Sequence, residues 1–316
     1  MNFDLISELK QCPTIDHFID FASKLLREAG FQHLSITDPW ASIPNKFFVT
    51  QDSKNIVIVN QTNTDKQIVF QTDFGKPCFM LKTNNADLSR GFNIVRCGKV
   101  ALNGFYALKL AGKILYKDSN QIKTKLFIGE QPIAFLPDPQ NANIDRENYN
   151  PVISLEDSDD VINPDQSTAI YKYIYRYTGV KQSDIIDSEL YFIDSDNPIE
   201  FGPNKEFIRA FRLNAYSHIL FLLHETMNAT PKTQSIFTCI YENKDSEADN
   251  PFFNSVCNKM NISKDDNMEF VKQNFINDDE NVPKFSIEIY DKISVYATQS
   301  MLRKIMSGQR THPLLH

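Results

Sequence analysis

Hydrophobic positions along this chain follow two periods, and the switches between them lay out its elements. Ile15, Phe18, Ile19, Ala22, Leu25 and Leu26 recur at the spacing of one helical face. Thr14 in front of them is an N-cap and Gly30 behind them a stop, so a helix is predicted between the two. Then the period shortens. Lys46-Phe47-Phe48-Val49-Thr50 and residues 55–60 read as strands. Residues 68–82 read as strand, loop, strand, with Gln71-Thr72-Asp73 closing the first run and a Gly75-Lys76-Pro77 turn following. Polar groups at the end of a buried strand are where open α/β sheets place their chemistry.

The later chain keeps alternating. Residues 83–90 read as a loop, 91–96 and 126–136 as strands, and 155–165 as an acidic solvated loop. Residues 214–228 form a largely buried helix, and residues 235–241 a strand that ends in Tyr241-Glu242-Asn243-Lys244-Asp245. The last helix is expected over 297–306, where Met301, Leu302 and Ile305, with Tyr296 just before, can face a core and Arg303 and Lys304 can face water. Helical and strand periods mixed in this way predict an α/β fold.

Composition narrows the function classes. The chain has 316 residues, 41% of them apolar, enough for one large or two modest domains with a real core. A net charge of -7 argues against a nucleic-acid partner. No apolar run approaches the roughly 20 residues of a membrane span, and Met1-Asn2-Phe3-Asp4 lacks signal-peptide character. Cys12, Cys78, Cys97, Cys239 and Cys257 show no CxxC spacing, which fits reduced thiols in the cytoplasm. His224-Glu225 opens like a HExxH zinc helix, but Asn228 stands at the second histidine. His218 and His224 are six apart and point in different directions, and His312 and His316 sit at the terminus. Phosphate loops and serine or cysteine nucleophile motifs are absent.

Several stretches, in order, resemble the aspartyl aminopeptidase family of zinc exopeptidases. Thr72, Asp73, Cys78, Leu81 and Lys82 match its first metal-binding motif, His-Thr-Asp-Ser-Pro-Cys followed by Leu-Lys. Cys12-Pro13-Thr14-Ile15-Asp16-His17 is similar to its Ser-Pro-x-x-x-His pattern. Leu108, Ala111 and Gly112 match a Leu-Ser-x-Ala-Gly segment, Asp184–Asp194 a later strand, and Lys205–Asn214 follows Asp-Glu-Phe-Ile-x-x-x-Arg-Leu-Asp. The likeness runs from about Cys12 to about Arg303, patchily but collinearly.

The resemblance implies a zinc-exopeptidase-like α/β fold, a mixed sheet flanked by helices, interrupted by a β-rich oligomerisation lobe. Residues 1–82 and 203–316 would form the peptidase-like part and 83–202 the lobe. It also implies a chemistry this chain has lost. The family's first ligand histidine falls on Gln71, its bridging aspartate on Asn214 and its general-base glutamate on Lys244. Asp73 keeps the position of the carboxylate that orients the histidine, and Asp245 is the one retained candidate ligand. The residues by themselves favour the plainer readings, Asp73 as a loop carboxylate accepting backbone N–H bonds and Lys244-Asp245 as a solvated charge pair. The later ligand motif has no counterpart over 270–283, and the family continues past the point where this chain stops. The expectation is a degenerate, C-terminally shortened homologue without zinc or other cofactor. It would be inactive, self-associating or co-assembling with an active relative, with residues 297–306 docked over part of the former site. The alternative is a surviving zinc aminopeptidase that removes N-terminal acidic residues.

Overall fold

The computed structural model describes residues 3–75, 79–83, 92–96, 99–100, 106–136, 151–153, 166–242, 250–262, 268–272, 284–285 and 287–308. The chain divides into two compact units, Met1–Gly75 with Pro198–Asn281 and Glu288–His316, and Lys76–Asn197 with Val282–Ile287.

The first unit opens with helices α1 (Leu5–Gln11) and α2 (Ile15–Glu28) and strands β1 (Gln32–Leu34), β2 (Lys46–Gln51), β3 (Asn55–Asn60) and β4 (Gln67–Asp73). The Asp4 carboxylate caps α1 by accepting from Ser7 N. Helix α2 starts after Thr14, where the amphipathic pattern puts it. The Thr14 hydroxyl does not cap the helix but bonds His17 Nδ1 at 2.8 Å.

The second unit holds β5 (Phe79–Thr83), β6 (Phe92–Arg96), β7 (Lys99–Val100), β8 (Tyr106–Asp118), β9 (Gln121–Ile128), β10 (Ala134–Leu136), α3 (Gln166–Thr178) and β11 (Ile185–Asp194). Its sheet runs β10-β8-β11-β5-β6 with β9 paired to β8, every pairing antiparallel. Strand β5 bonds β11 and β6, so the boundary falls at the Gly75 turn rather than after Lys82. Residues 126–136 are two strands, not one. Between them Gln131 is held by α3, whose Tyr173 hydroxyl donates to its carbonyl and whose Arg176 reaches its Oε1 at 2.9 Å. Gly112 lies opposite Leu190 at φ +152, and a Cβ there would stand 2.2 Å from the Glu189 carbonyl oxygen. Only glycine fits so close a crossing of β8 and β11.

The chain then returns through β12 (Ile199–Phe201), β13 (Phe207–Phe211), α4 (Leu213–Asn228), β14 (Ser235–Tyr241), α5 (Pro251–Met260), β15 (Met268–Lys272), β16 (Lys284–Phe285, paired with β7), β17 (Ile287–Asp291) and α6 (Lys292–Met306). Among the described residues the main sheet of the first unit runs β1-β2-β3-β14-β4-β15, mixed in direction, and β12-β13-β17 form a small second sheet. Strand alternation sends Phe48, Ile56, Ile58, Ile68, Phe70, Ile236 and Ile240 into a core with α1, α2, α4 and α6. The other parity, Phe47, Val49, Val57, Val59, Val69, Phe237, Cys239 and Tyr241, packs with α5. Helices thus cover both faces, the layered α/β arrangement the alternating periods predict.

Helix α6 begins five residues ahead of the expected 297, because Asp291 Oδ1 accepts from Ser294 N at 2.8 Å and caps it there. It docks along α4. Tyr296 stacks at a tilt near Phe221, while Gln299 and Arg303 reach the buried Glu225 carboxylate at 2.8–2.9 Å. Those partners lie roughly 10 and 16 Å down the α4 axis from Asn214, at about 1.5 Å rise per residue. The helix therefore covers the flank of α4 and not its first turn. Leu302 is fully buried, so Leu302→Ala should cost about 2–5 kcal/mol by denaturant unfolding. The exposed Lys304→Ala should change stability by less than about 0.5 kcal/mol.

Candidate functional site

The carboxyl ends of β4 and β14 lie side by side in parallel, with Asp73 opposite Tyr241 and Gln71 opposite Cys239. The Phe74 amide donates to the Tyr241 carbonyl at 2.7 Å and carries the pairing one residue further. Asp73 then turns the chain, its Oδ1 accepting from Gly75 N at 2.7 Å. Gln71 and Asp73 share the parity of Val69, so they project to the α5 side of the sheet edge. Asn214, in the first turn of α4, belongs to the opposite side.

Arg212 joins these pieces. It sits at φ +49 as the residue before α4, with its side chain 5% exposed. Its Nη2 donates to the Phe74 carbonyl at 2.9 Å and its Nη1 to the Tyr216 hydroxyl at 3.2 Å, and its guanidinium lies 4.9 Å over the Tyr216 ring. Tyr216 in turn donates to the Pro13 carbonyl at 3.2 Å, ahead of α2. Gly75 has φ +66, and a Cβ there would stand 2.5 Å from Arg212 Nη2. Arg212 stands at the arginine position of the resembled Arg-Leu-Asp motif, and its bonds tie the end of β4 to the first turn of α4.

The Asn214 amide N–H donates to Glu288 Oε2 at 2.7 Å. A carboxylate on the open first turn of a helix is favoured by the helix dipole. Strand β17 thus reaches this turn. Tyr241 is buried, and burial first, then the Cys239 thiol, holds its hydroxyl far above the ordinary range. The half-motif at His224-Glu225 is structural: His224 Nε2 and Glu8 Oε2 meet at 2.8 Å in the core, and Glu225 is held by α6. Burial lowers the His218 imidazole on α4 from 6.5 to about 4. Lys244 and Asp245 lie outside the described residues, as do His312, His316 and residues 155–165.

A paired zinc centre needs imidazole nitrogen and bridging carboxylate oxygen. Gln71 and Asn214 supply neutral amides, which cannot balance two dications. Among the described residues, no three His, Cys, Asp or Glu side chains gather as a metal-ligand cluster. The described donor set does not fit a zinc pair.

The family model for aminopeptidase I zinc metalloproteases, M18, matches residues 9–273. The chain belongs to the M18 family. A probable M18 family aminopeptidase 2 from Stutzerimonas stutzeri is 25% identical over 292 residues, covering 84% of this chain and 67% of the relative. Its counterpart from Pseudomonas putida is 25% identical over 236 residues, covering 68% and 54%. The chain thus spans about 54–67% of the length of these curated M18 relatives. Among solved structures, Chaetomium thermophilum mApe1 superposes with a TM-score of 0.66 at 17% identity over 84% of this chain and 72% of that one. The S. cerevisiae mApe1 dodecamer gives 0.62 at 19% identity over 81% and 65%. These likenesses show the fold of the M18 aminopeptidases.

Two expected outcomes test this geometry. Gly75→Ala should lose at least about 2 kcal/mol in denaturant unfolding, combining left-handed backbone strain with displacement of the Arg212 guanidinium. For His218, the unfolded imidazole takes up its proton as pH falls through 6.5, while the folded one resists until about 4. Its contribution is therefore complete above 6.5 and is lost between 6.5 and 4. His218→Gln should lose less stability than the parent chain between those pH values; equal losses would remove this role.

Proposed function

We propose that this chain is a catalytically silent member of the M18 family, working as an oligomer partner or binding module without a zinc pair. The single observation that carries the reading is the chemistry at the carboxyl end of β4 and the first turn of α4. Amides, Gln71 and Asn214, stand where the family resemblance puts a ligand histidine and a bridging carboxylate. Lysine at position 244, the resembled general base, would add a positive charge near any metal.

Assembly is the role left to such a chain. One structural neighbour is a dodecamer, and the second unit here carries long strands whose outer edges, such as β9, have a partner on one side only among the described residues. Such edges can pair with another chain. Self-association and co-assembly with an active relative are the two forms this takes. Buried thiols at Cys12, Cys239 and Cys257 suit a reducing, cytoplasmic setting, and no helix of the described residues is long and apolar enough to cross a membrane.

Metal analysis and an activity assay on one preparation test the proposal. The expected result is no stoichiometric zinc and no release of N-terminal Asp or Glu from peptides. About two tightly held zinc ions per chain, together with that hydrolysis, would make it a working aminopeptidase and overturn the reading.

A further inference from the structure

On the far side of β14 from α4 lies a groove of about 430 Å³ that shares no lining residue with Gln71, Asp73 or Asn214. It is formed by the β2–β3 hairpin, the end of β14 and the first turns of α5. Asp52 and Ser53 both take left-handed conformations, at φ +53 and +55, which makes the hairpin tight and brings Lys54 back over the sheet edge. At the α5 end, Asn250 Oδ1 accepts from the Phe252 and Phe253 amides, so the helix start is already capped by its own chain.

Two of the lining residues, Lys54 and Glu242, form an ion pair. Glu242 is 6% exposed, and both its oxygens accept from Lys54 Nζ at 2.9–3.0 Å, with the lysine side chain only a quarter exposed. Burying such a pair costs more desolvation than an ordinary strand end needs to bear. A salt bridge with only a structural task is more cheaply kept at the open surface. Here it lines a groove, with a negative and a positive group side by side. Among the described residues the rim carries the amides of Gln51, Asn55 and Asn250, and Phe252 supplies an apolar wall. Cavities of about 300–1,000 Å³ with a few convergent polar groups are the usual form of small-molecule sites.

We propose that this groove binds a small zwitterion of amino-acid size, its ammonium on Glu242 and its carboxylate on Lys54, with the amide rim reading a polar side chain. Each charged end meets its opposite, so the ligand extends the existing ion pair into a four-charge array instead of breaking it. An isolated anion would meet the Glu242 carboxylate, and an isolated cation the Lys54 ammonium. The site stands whether or not the chain carries zinc, because none of its groups lies at a resembled ligand position.

Calorimetric titration of the full chain with L-glutamine tests the proposal, since its carboxamide suits the amide rim. N-acetyl-L-glutamine, which lacks the ammonium, and L-glutamine ethyl ester, which lacks the carboxylate, are the controls. The expected result is saturable binding of L-glutamine, weakened at least about tenfold for either blocked form and for Glu242→Gln. Ser255→Trp, at an exposed position on α5, should fill the groove and abolish binding while leaving the unfolding midpoint near that of the parent. No binding up to about 10 mM, where even a Kd near 1 mM would be evident, would overturn the proposal. Undiminished binding of the blocked forms, or by a folded Ser255→Trp chain, would overturn it equally.

Discussion

A buried guanidinium has to find acceptors or it destabilises whatever encloses it. Arg212 finds them in segments far apart in sequence: the Phe74 carbonyl after β4, and the Tyr216 ring and hydroxyl on α4. Tyr216 hands the connection on to Pro13 ahead of α2. The end of a central strand and the starts of two helices become one hydrogen-bonded unit. Two left-handed backbone conformations, at Arg212 and Gly75, are strained or restricted, and the network offsets them. Nothing in this arrangement depends on a metal. The scaffold can therefore stay intact while Gln71 and Asn214 stand beside it as neutral amides.

Three of the described carboxylates, on β4, β17 and α4, have structural tasks. Asp73 closes a turn on Gly75 N, and Glu288 fills the first turn of α4. Glu225 anchors α6 through Arg303 and Gln299. Each answers a local demand for an acceptor that the backbone or a neighbouring helix would otherwise leave open. Polar groups can thus fill such an edge for structural reasons, and their number alone says little about catalysis.

Local signals in the sequence reached the first unit well. Helix α2, strands β2 and β3, the end of β4, helix α4 and strand β14 all follow from periodicity and a few turn residues, because each buries a face with a clean pattern. Helices α1 and α5 escaped that reading. At seven and ten residues they are too short for a periodic signal, and they are fixed by the Asp4 and Asn250 caps. The break between β9 and β10 was invisible because tertiary contacts from α3 to Gln131 impose it. At the candidate site, Gln71, Asp73 and Asn214 could be named from the resemblance. Glu288 could not, since 74 residues separate it from Asn214 and no local pattern joins them. Glu242 escaped for the same reason, its partner Lys54 lying 188 residues away.

Strand β14 has a further consequence through its place in the sheet. It is inserted between β3 and β4, which are neighbours in sequence but not in space. As the ribosome extends the chain, β3 and β4 emerge early, and the strand that must separate them follows about 160 residues later, some 8–30 s at ordinary synthesis rates. Through that interval the two strands must not zip into the hairpin that their proximity favours. Most of the second unit, a nearly continuous stretch with antiparallel neighbours, is complete before the gap can be filled. The chain therefore does not deliver these strands in sheet order: β4 is made before the β14 strand that separates it from β3, and until β14 arrives the facing edges of β3 and β4 stay open to mispairing.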